Sequence, residues 1–572
     1  MLAAYPIASQ PLAALPAGGS QHEPVIVTPQ AGYRWRVQLL VDGLDMTELM
    51  TGVADVDREE GGAAVAGFTL LLPAGPVVPT DWLGRAVTLD YISTSPAGTR
   101  QARLFTGWVV EPVWDPTTRL LDCDCSDRLQ QRVEALELAQ IEALTPDALW
   151  SEDAFEPLSG RQRWDYMQER LSTLPSSLDS STTGTLRVSS WYASAVPHFV
   201  FGGGSTVYQS LQLDLQQYDQ AINRVELEIN YRLQRLWEHA QSWSWVHPNA
   251  AGPAGGFCGW RRWSTDLPTK DMILDAVSGA GLEPVGGVGG FTLPLTAPNI
   301  CGDFVPWINR YGDLHLSANV TGARRWTQSV TETYKLVLTA PGGDEAGRQN
   351  VQRDSLSLSV GEEAAEAWED APLNGQTEAV DTNDEPRRQL AIRCLLSQAV
   401  VQMVDGHRGT SVSWQVLADM ALDIDLQHTL LIEDQGIRAQ GKVRRISFDL
   451  DMLGAPLATL TIAVMRGGGS SSPLTVPTRP DTSLPLPDGG KPASTQLGGQ
   501  VNDPISGFPI GPHDPTRMGF SGNYSSPDDL AERYPYQFAL EALEIPETYR
   551  DEATATVEAA YTVGIPNDLL EM

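Results

Sequence analysis

Cys123 and Cys125, with Asp122, Asp124 and Asp127 around them, form the densest group of potential ligands in the chain. Two residues apart on a strand, the thiols share one face, which disfavours a mutual disulfide and suits two small buried apolar side chains. A zinc or iron–sulfur centre needs two more ligands, and the sequence holds no CxxC pair. Calcium is the alternative for the carboxylates, but an EF-hand loop wants Gly at its sixth position and Glu at its twelfth. Counted from Asp122, those positions hold Asp127 and Val133. The expectation is strand-face carboxylates in solvent and no metal. The other cysteines, Cys258, Cys301 and Cys394, bring the count to 5 with no regular spacing. That is no disulfide framework, and it points to a reducing site of synthesis.

Catalytic signatures are absent. There is no GxxxxGK[ST] loop, no HExxH and no GxSxG elbow. Gly286–Gly290 lacks the strand-to-helix context of a dinucleotide site and reads as a loop. The 72 acidic residues guarantee chance carboxylate pairs, and the 8 histidines are scattered with none at i, i+4. No catalytic, cofactor-binding or metal residue is assigned, no cofactor is expected, and the chain is not read as an enzyme. The 16 tryptophans, especially Trp237, Trp243, Trp245, Trp260 and Trp263, would suit a glycan surface, but rings of this size more often fill cores and subunit interfaces.

The elements around these residues are mostly strands. Phe105–Asp115 and Arg119–Leu129 read as a hairpin across Asp115-Pro-Thr-Thr, where Pro presets φ and Asp can bond the backbone ahead. Tyr33–Leu39 alternates strictly, and Asp42-Gly43 supplies a turn that tolerates positive φ. Val65–Leu72 and Gly84–Ile92 are further strands, and Ser126–Leu138 begins a helix. Helices are also expected from Thr145-Pro146, where Thr would be the cap, and over Arg161–Leu174, Lys270–Ala280 (cap Thr265 or Asp266) and Arg387–Val404. Asn223–Tyr231, Thr333–Thr339 and His428–Ile432 are strands, and Gly441–Leu450 and Leu457–Val464 form a hairpin. After Arg466 the chain turns rich in Pro, Gly and Ser. Its sparse apolar anchors Phe508, Phe520, Tyr534 and Phe538 suit an arm laid over a partner, with a short helix between Glu541 and Glu558.

A length of 572 residues exceeds one core, so three or four units are expected. With 52 Gly and 40 Pro the chain is turn-rich, which favours β architecture. The net charge of −33 repels nucleic-acid phosphates and anionic membranes, so specific nucleic-acid binding is not expected. An acidic conduit would still let DNA slide through, and the charge keeps an assembly component soluble. The first 20 residues lack the basic start and apolar middle of a signal peptide, and no apolar run is long enough to span a membrane, so no stable insertion is expected.

The order of these motifs carries one further reading. A strand, an Asp-Gly turn, a strand after a variable loop, a Gly-led strand, Phe105-Thr-Gly-Trp-Val109 and a return strand closing in Cys125-Ser-Asp-Arg-Leu129 resembles the first barrel of bacteriophage baseplate hub (tail tip hub) proteins. The resemblance covers residues 31–138. It implies a mainly β (α+β) fold: two hub-type β-barrel domains with inserted mixed α/β domains and an extended C-terminal arm. The implied division is an N-terminal arm (1–30), a first barrel (31–138), a mixed α/β insert (139–222), a strand with the Trp-rich region (223–323), a second barrel (324–466, with Asn223–Tyr231 contributing) and the arm (467–572). It further implies a homotrimeric ring whose paired barrels offer a pseudo-sixfold surface to the tail tube. The implied partners are a distal tail or tube protein, the tape measure protein, and a tip or fibre protein held by the arm. The implied location is the virion tail, after synthesis in the host cytoplasm. A receptor- or glycan-binding tail protein is the alternative, with a tail-borne cell-wall hydrolase behind it.

Overall fold

Period-two alternation of apolar and polar residues governs most of this chain, and the computed structural model is accordingly mainly β. It describes residues 22–28, 34–96, 98–149, 162–217, 221–246, 268–292, 296–297, 307–308, 315–345, 348–487, 501–502, 509–510 and 540–572. Cys258, Trp260, Trp263, Thr265, Asp266, Cys301, Phe508, Phe520, Tyr534 and Phe538 lie outside the described residues.

The short β1 (Val25–Val27) precedes β2 (Arg34–Val41) and β3 (Leu44–Asp45). Between the latter two, Asp42 and Gly43 take φ of 49° and 77°, as a type I′ turn requires. Next come β4 (Met50–Glu59), β5 (Val65–Leu71), β6 (Ala86–Ser95), β7 (Gly98–Asp115) and β8 (Leu120–Ser126). At the β7–β8 turn, Asp115 accepts from the Thr117 N–H at 2.8 Å and the Thr118 hydroxyl at 2.6 Å. Helices α1 (Leu129–Glu134), α2 (Leu138–Leu144) and α3 (Arg163–Leu171) pack with the hairpin β9 (Ser176–Ser180) and β10 (Leu186–Ser190) around a small core of Val133, Ile141 and Met167. β11 (Phe199–Phe201) and β12 (Gln212–Asp214) rejoin the main sheet.

A long insertion follows: β13 (Arg224–Val246), α4 (Lys270–Gly279), β14 (Glu283–Gly289), β15 (Thr296–Ala297), β16 (Trp307–Ile308), β17 (Ser317–Thr339), β18 (Val351–Val360), α5 (Glu362–Glu369), β19 (Glu378–Asp381) and α6 (Glu385–Gly406). The main sheet resumes with β20 (Thr410–Leu417), β21 (Thr429–Asp434), β22 (Ile437–Asp451) and β23 (Pro456–Val464). β24 (Val501–Asn502), β25 (Pro509–Ile510), β26 (Ala553–Thr562) and β27 (Leu570–Glu571) complete the chain.

The main sheet has 15 strands and reads as one pattern used twice. In the first half the neighbours run β4-β5-β8-β7-β6, and in the second β12-β20-β23-β22-β21. Each of these eight pairings is antiparallel. Both halves carry a bulge at the same place, between Val109 and Glu111 opposite β8 and between Val443 and Arg445 opposite β23. Two residues ahead of each bulged valine stands a glycine, Gly107 or Gly441. A Cβ at either would collide with a backbone carbonyl, that of Ser126 or Ala463. The two halves join edge to edge: β4 pairs antiparallel with β22, from Val53 opposite Asp451 to Glu59 opposite Arg445. One apolar core, including Phe68, Phe105, Trp414 and Phe448, runs beneath both.

Several sequence expectations change here. The second half is drawn from only part of 324–466: it is built from 199–214 and 410–464, with 224–406 inserted between β12 and β20. Asn223–Tyr231 and Thr333–Thr339 belong instead to a separate six-stranded sheet, where β13 and β17 pair without a break from Arg224 opposite Thr339 to Val246 opposite Ser317. That sheet packs on α6 through Val225, Tyr231, Tyr334 and Leu396. Periodicity had identified part of each strand, but it says nothing about which strand pairs with which.

Thr145 ends α2 rather than capping a new helix. The cap of α4 is Thr269, whose side chain accepts from Met272 N at 3.2 Å. Gly286 and its neighbours lie in β14, an irregular edge strand rather than a loop. Within Glu541–Glu558 a single 3-10 turn runs over Glu547–Tyr549 after Pro546, and the chain then enters a strand: β26 alternates Ala555, Val557, Ala559 and Tyr561 inward and pairs parallel to β17. The described part of the C-terminal arm packs on its own chain, with Leu474 and Val476 against the second core and β27 on the edge of β22.

Candidate functional site: the seam and its acidic face

Where β4 meets β22, the side chains sort by face. Inward go Val56, Phe448 and Leu450, all buried. Outward goes a row of carboxylates that crosses from one half to the other. Glu111 is opposite Asp124, Asp124 opposite Gly67, Gly67 opposite Asp55, and Asp55 opposite Asp449. Directly opposed residues point to one face, so four acids share it. Gly67 makes room for the row: a Cβ there would come within 2.6 Å of an Asp55 carboxylate oxygen. Burial, aided by the charges of Asp124, Asp449 and Asp57, raises the Asp55 pKa above the usual carboxylate value. Arg445 on β22 is committed to Asp57, to which its Nε donates at 2.8 Å.

Beneath the seam lies the opposite case, a paired polar network. Arg58 on β4 is buried and donates to Asp425 at 2.7 Å and to the Ser180 carbonyl at 2.8 Å. Arg187 on β10 donates to the same Asp425 at 2.8 Å and to Asp179 at 2.7 Å. Asp425 therefore ties β4, the helical unit and the second half together, and its two guanidiniums hold its pKa well below normal despite its burial. Lys442, buried nearby, donates to the Leu426 carbonyl at 2.6 Å, and burial lowers its pKa to about 8. Arg408 pairs with Glu60.

The residues singled out from the sequence do not converge. Cys123 and Cys125 are buried in the core, and burial pushes the Cys123 thiol up to about 12 and Cys125 higher still. Such thiols are poor nucleophiles and poor ligands at neutral pH. Asp122 accepts from the Thr69 hydroxyl at 2.6 Å on the outer face, whereas Asp127 is buried and accepts from the Leu129 N–H at 3.2 Å and the Ser180 hydroxyl. Among the described residues no group of three His, Cys, Asp or Glu side chains could hold a metal. Trp237, Trp243 and Trp245 are buried within the second sheet, and Trp237 Nε1 donates to Gln328 at 2.9 Å. No described helix is long and apolar enough to cross a membrane.

The sequence reading missed β4, and although the resemblance implied two similar barrels, it did not match their strands residue by residue. The available signal was Gly-Xaa-Val before a bulge, Gly107-Trp-Val109 and Gly441-Lys-Val443, too short to stand out without the pairing.

No protein-family model matches the chain, and no curated protein matches it. Among solved structures it is similar to a tail protein from Neisseria meningitidis MC58, at 10% identity and TM-score 0.37, over 75% of this chain and 96% of that one. It is similar to the 43 kDa tail protein of prophage MuSo2 from Shewanella oneidensis at 11% identity and TM-score 0.36, over 74% and 97%. A component of the E. coli type VI secretion system is similar at 9% identity and TM-score 0.28, over 80% and 84%. At these TM-scores the likeness carries no inference about what the chain does.

Proposed function

We propose that this chain is the structural hub of a phage or phage-like tail, three copies of which close into a ring with a central passage. The repeat within the main sheet carries the reading. Two halves of matching strand order and bulge position, joined by one seam, give six similar units from three chains, and such a ring can meet a sixfold tube. The acidic row lies on the face away from the core. Placed on the lumen, it would repel DNA phosphates and let the duplex slide.

The topology also separates two rims. The helical unit leaves after Ser126, the long insertion leaves after Asp214 and returns at Thr410, and the C-terminal segment leaves after Val464. Pairings put these points at one rim: Ser126 is opposite Val65, Asp214 opposite Ser411, and Thr410 opposite Val464. The other rim carries the tight turns β7–β8 and β22–β23 and two longer links, β5–β6 leaving after Leu71 opposite Leu120 and β20–β21 leaving after Leu417 opposite Leu457. We assign this rim, from which neither inserted unit leaves, to the distal tail or tube protein. The elaborated rim would face tip or fibre proteins, and the lumen the tape measure. The role is architectural rather than enzymatic. A glycan-binding alternative loses Trp237, Trp243 and Trp245 to the protein interior.

Electron-microscopy class averages of concentrated protein, with mass measured on the same sample, test the reading. Threefold rings with an open centre are expected. Monomers at every concentration, with and without the adjoining tube protein, would overturn it.

A further inference from the structure

The internal seam has a counterpart that is empty within one chain. The repeat can be followed residue by residue through its pairings. Asp55, Val56 and Asp57 on β4 face Gly67, Ala66 and Val65 on β5. Gln212, Leu213 and Asp214 on β12 face Ser413, Val412 and Ser411 on β20 in the same way. Past the bulges, Glu111 opposite Asp124 matches Arg445 opposite Thr461. Val113, Trp114 and Asp115 therefore stand where Ser447, Phe448 and Asp449 stand.

Within the chain, β4 uses its outer edge to pair with β22. Among the described strands, its counterpart β12 pairs with β20 alone. The matching stretch of β7 is also open: β6 covers it from Gly98 to Trp108, and β8 takes the opposite side from Trp108 to Asp115. On the β6 side, Glu111–Asp115 pairs with no described strand. The chain thus displays both partners of a second seam, at places that one copy cannot bring together.

We infer that β12 of one copy pairs antiparallel with Glu111–Asp115 of the next, in the register of the internal seam. Transferred directly, that register sets Leu213 opposite Trp114, Asp214 opposite Val113, and Gln212 opposite Asp115. The side chains agree with it. In the internal seam Val56 and Phe448 face each other, 0% and 4% exposed. Leu213 and Trp114 are apolar as well, but in one chain they are only partly buried against the core. A neighbouring copy would finish covering them. Val113, 53% exposed, would meet Asp214 on the acidic face. The match is not perfect. Pro112 replaces Ile446 and has no N–H to donate, so this ladder loses one rung and should be weaker than the internal seam. A junction between copies has to form after folding, and a shorter ladder suits reversible assembly. Because the contact is heterologous, β12 on Glu111–Asp115, it propagates around a ring and leaves neither edge free when the ring closes.

This inference rests on the ring reading, and cross-linking separates the two. Asp57→Cys with Ser447→Cys places thiols across the internal seam and should link within the chain, leaving a monomer on a non-reducing gel. Val113→Cys with Asp214→Cys, in the full-length chain under the same oxidation, should instead give a ladder ending at a covalent trimer, with no ladder from either single variant. Leu213→Asp should weaken association tenfold or more while the monomer still folds with an unchanged far-UV circular dichroism spectrum. If native mass shows trimers and the internal pair links, but Val113→Cys/Asp214→Cys gives no interchain bond, the junction is wrong and the ring stands. If no trimer forms at any concentration, the ring reading falls and takes the junction with it.

Discussion

At the scale of single residues, the chemistry of this protein consists of charges held in place. Asp425 shows it most clearly. Two arginines from different units converge on it, and Arg58 is almost wholly buried. Breaking a buried pair costs about 3–5 kcal/mol because the remaining charge is left without a partner. Asp425→Ala should therefore lower the urea unfolding free energy by about 3 kcal/mol, with little change in the spectrum of the folded state.

A second residue-scale prediction concerns pH. His22 stacks on His198 at 4.1 Å, and His198 lies 5.0 Å from His428. His198 Nδ1 accepts from the Thr429 N–H, and His428 Nδ1 from the Asp425 N–H. Both contacts need the neutral ring. Burial, then His198 and the cations Lys442 and Arg187, against the opposing pull of Asp425, lower His428 from 6.5 to about 4. Burial and His22 lower His198 as well. A base whose folded pKa lies below its unfolded value binds fewer protons when folded. Stability is then fully present above pH 6.5 and falls as pH drops toward 4, by up to about 1.4 kcal/mol per unit for each such ring. Asp568, raised to about 6 by burial, works in the opposite sense over the same window. The local signal is therefore the one to read. The protection factors of the Val25–Val27 amides, with exchange corrected for its intrinsic slowing in acid, should fall between pH 7 and 4, and His428→Gln, which keeps a neutral acceptor, should flatten the response. An unchanged response in that variant would remove His428 as the cause.

At the scale of elements, the hairpins were legible because their turns have local chemistry. Asp42-Gly43 and Asp115-Pro-Thr-Thr each specify a backbone shape within four residues. The partnership of β13 with β17 was not legible, because alternation reports a buried face and not the strand beside it. The seam was hidden for a related reason: β4 carries Gly52, Asp55 and Asp57, a poor strand signature rescued by pairing on both edges. The acidic row is in turn built from acids on four strands, across a fifth, and cannot be seen in any one. Gly107 and Gly441 offer a test of the repeat as a physical object. Alanine at either site meets a backbone carbonyl that cannot move without shifting the bulge. Each substitution should cost about 1–3 kcal/mol in chemical denaturation, and similar losses at the two sites are expected if the bulges are equivalent. A loss at Gly107 with none at Gly441 would show that the halves differ mechanically.

At the scale of the whole molecule, charge opposes assembly. A chain of net charge −33 repels its own copies, and a ring with its acids turned inward concentrates that repulsion. Salt screens it, with a Debye length of roughly 8 Å at physiological strength and 3 Å at 1 M. Added sodium chloride should therefore raise the trimer fraction measured by mass photometry; a fall would place the interface on ion pairs instead. The mainly β class could be read from composition and alternation; the inserted mixed elements were implied by the resemblance. The placement of the insertion could not, because nothing in the sequence marks that β12 and β20 are neighbours.

The insertion between β12 and β20 has a consequence for how the chain is made. The first half is complete once Ser126 leaves the ribosome, but the strand that covers β4 ends only at Asp451. At roughly 5–20 residues per second, β4 waits on the order of 20–80 s with one edge bare. An uncovered edge is a template for any passing strand. Asp55 and Asp57 lie on that edge, so the acids that would later line a passage also act as guards for the nascent chain, repelling its neighbours on the same polysome until β22 arrives.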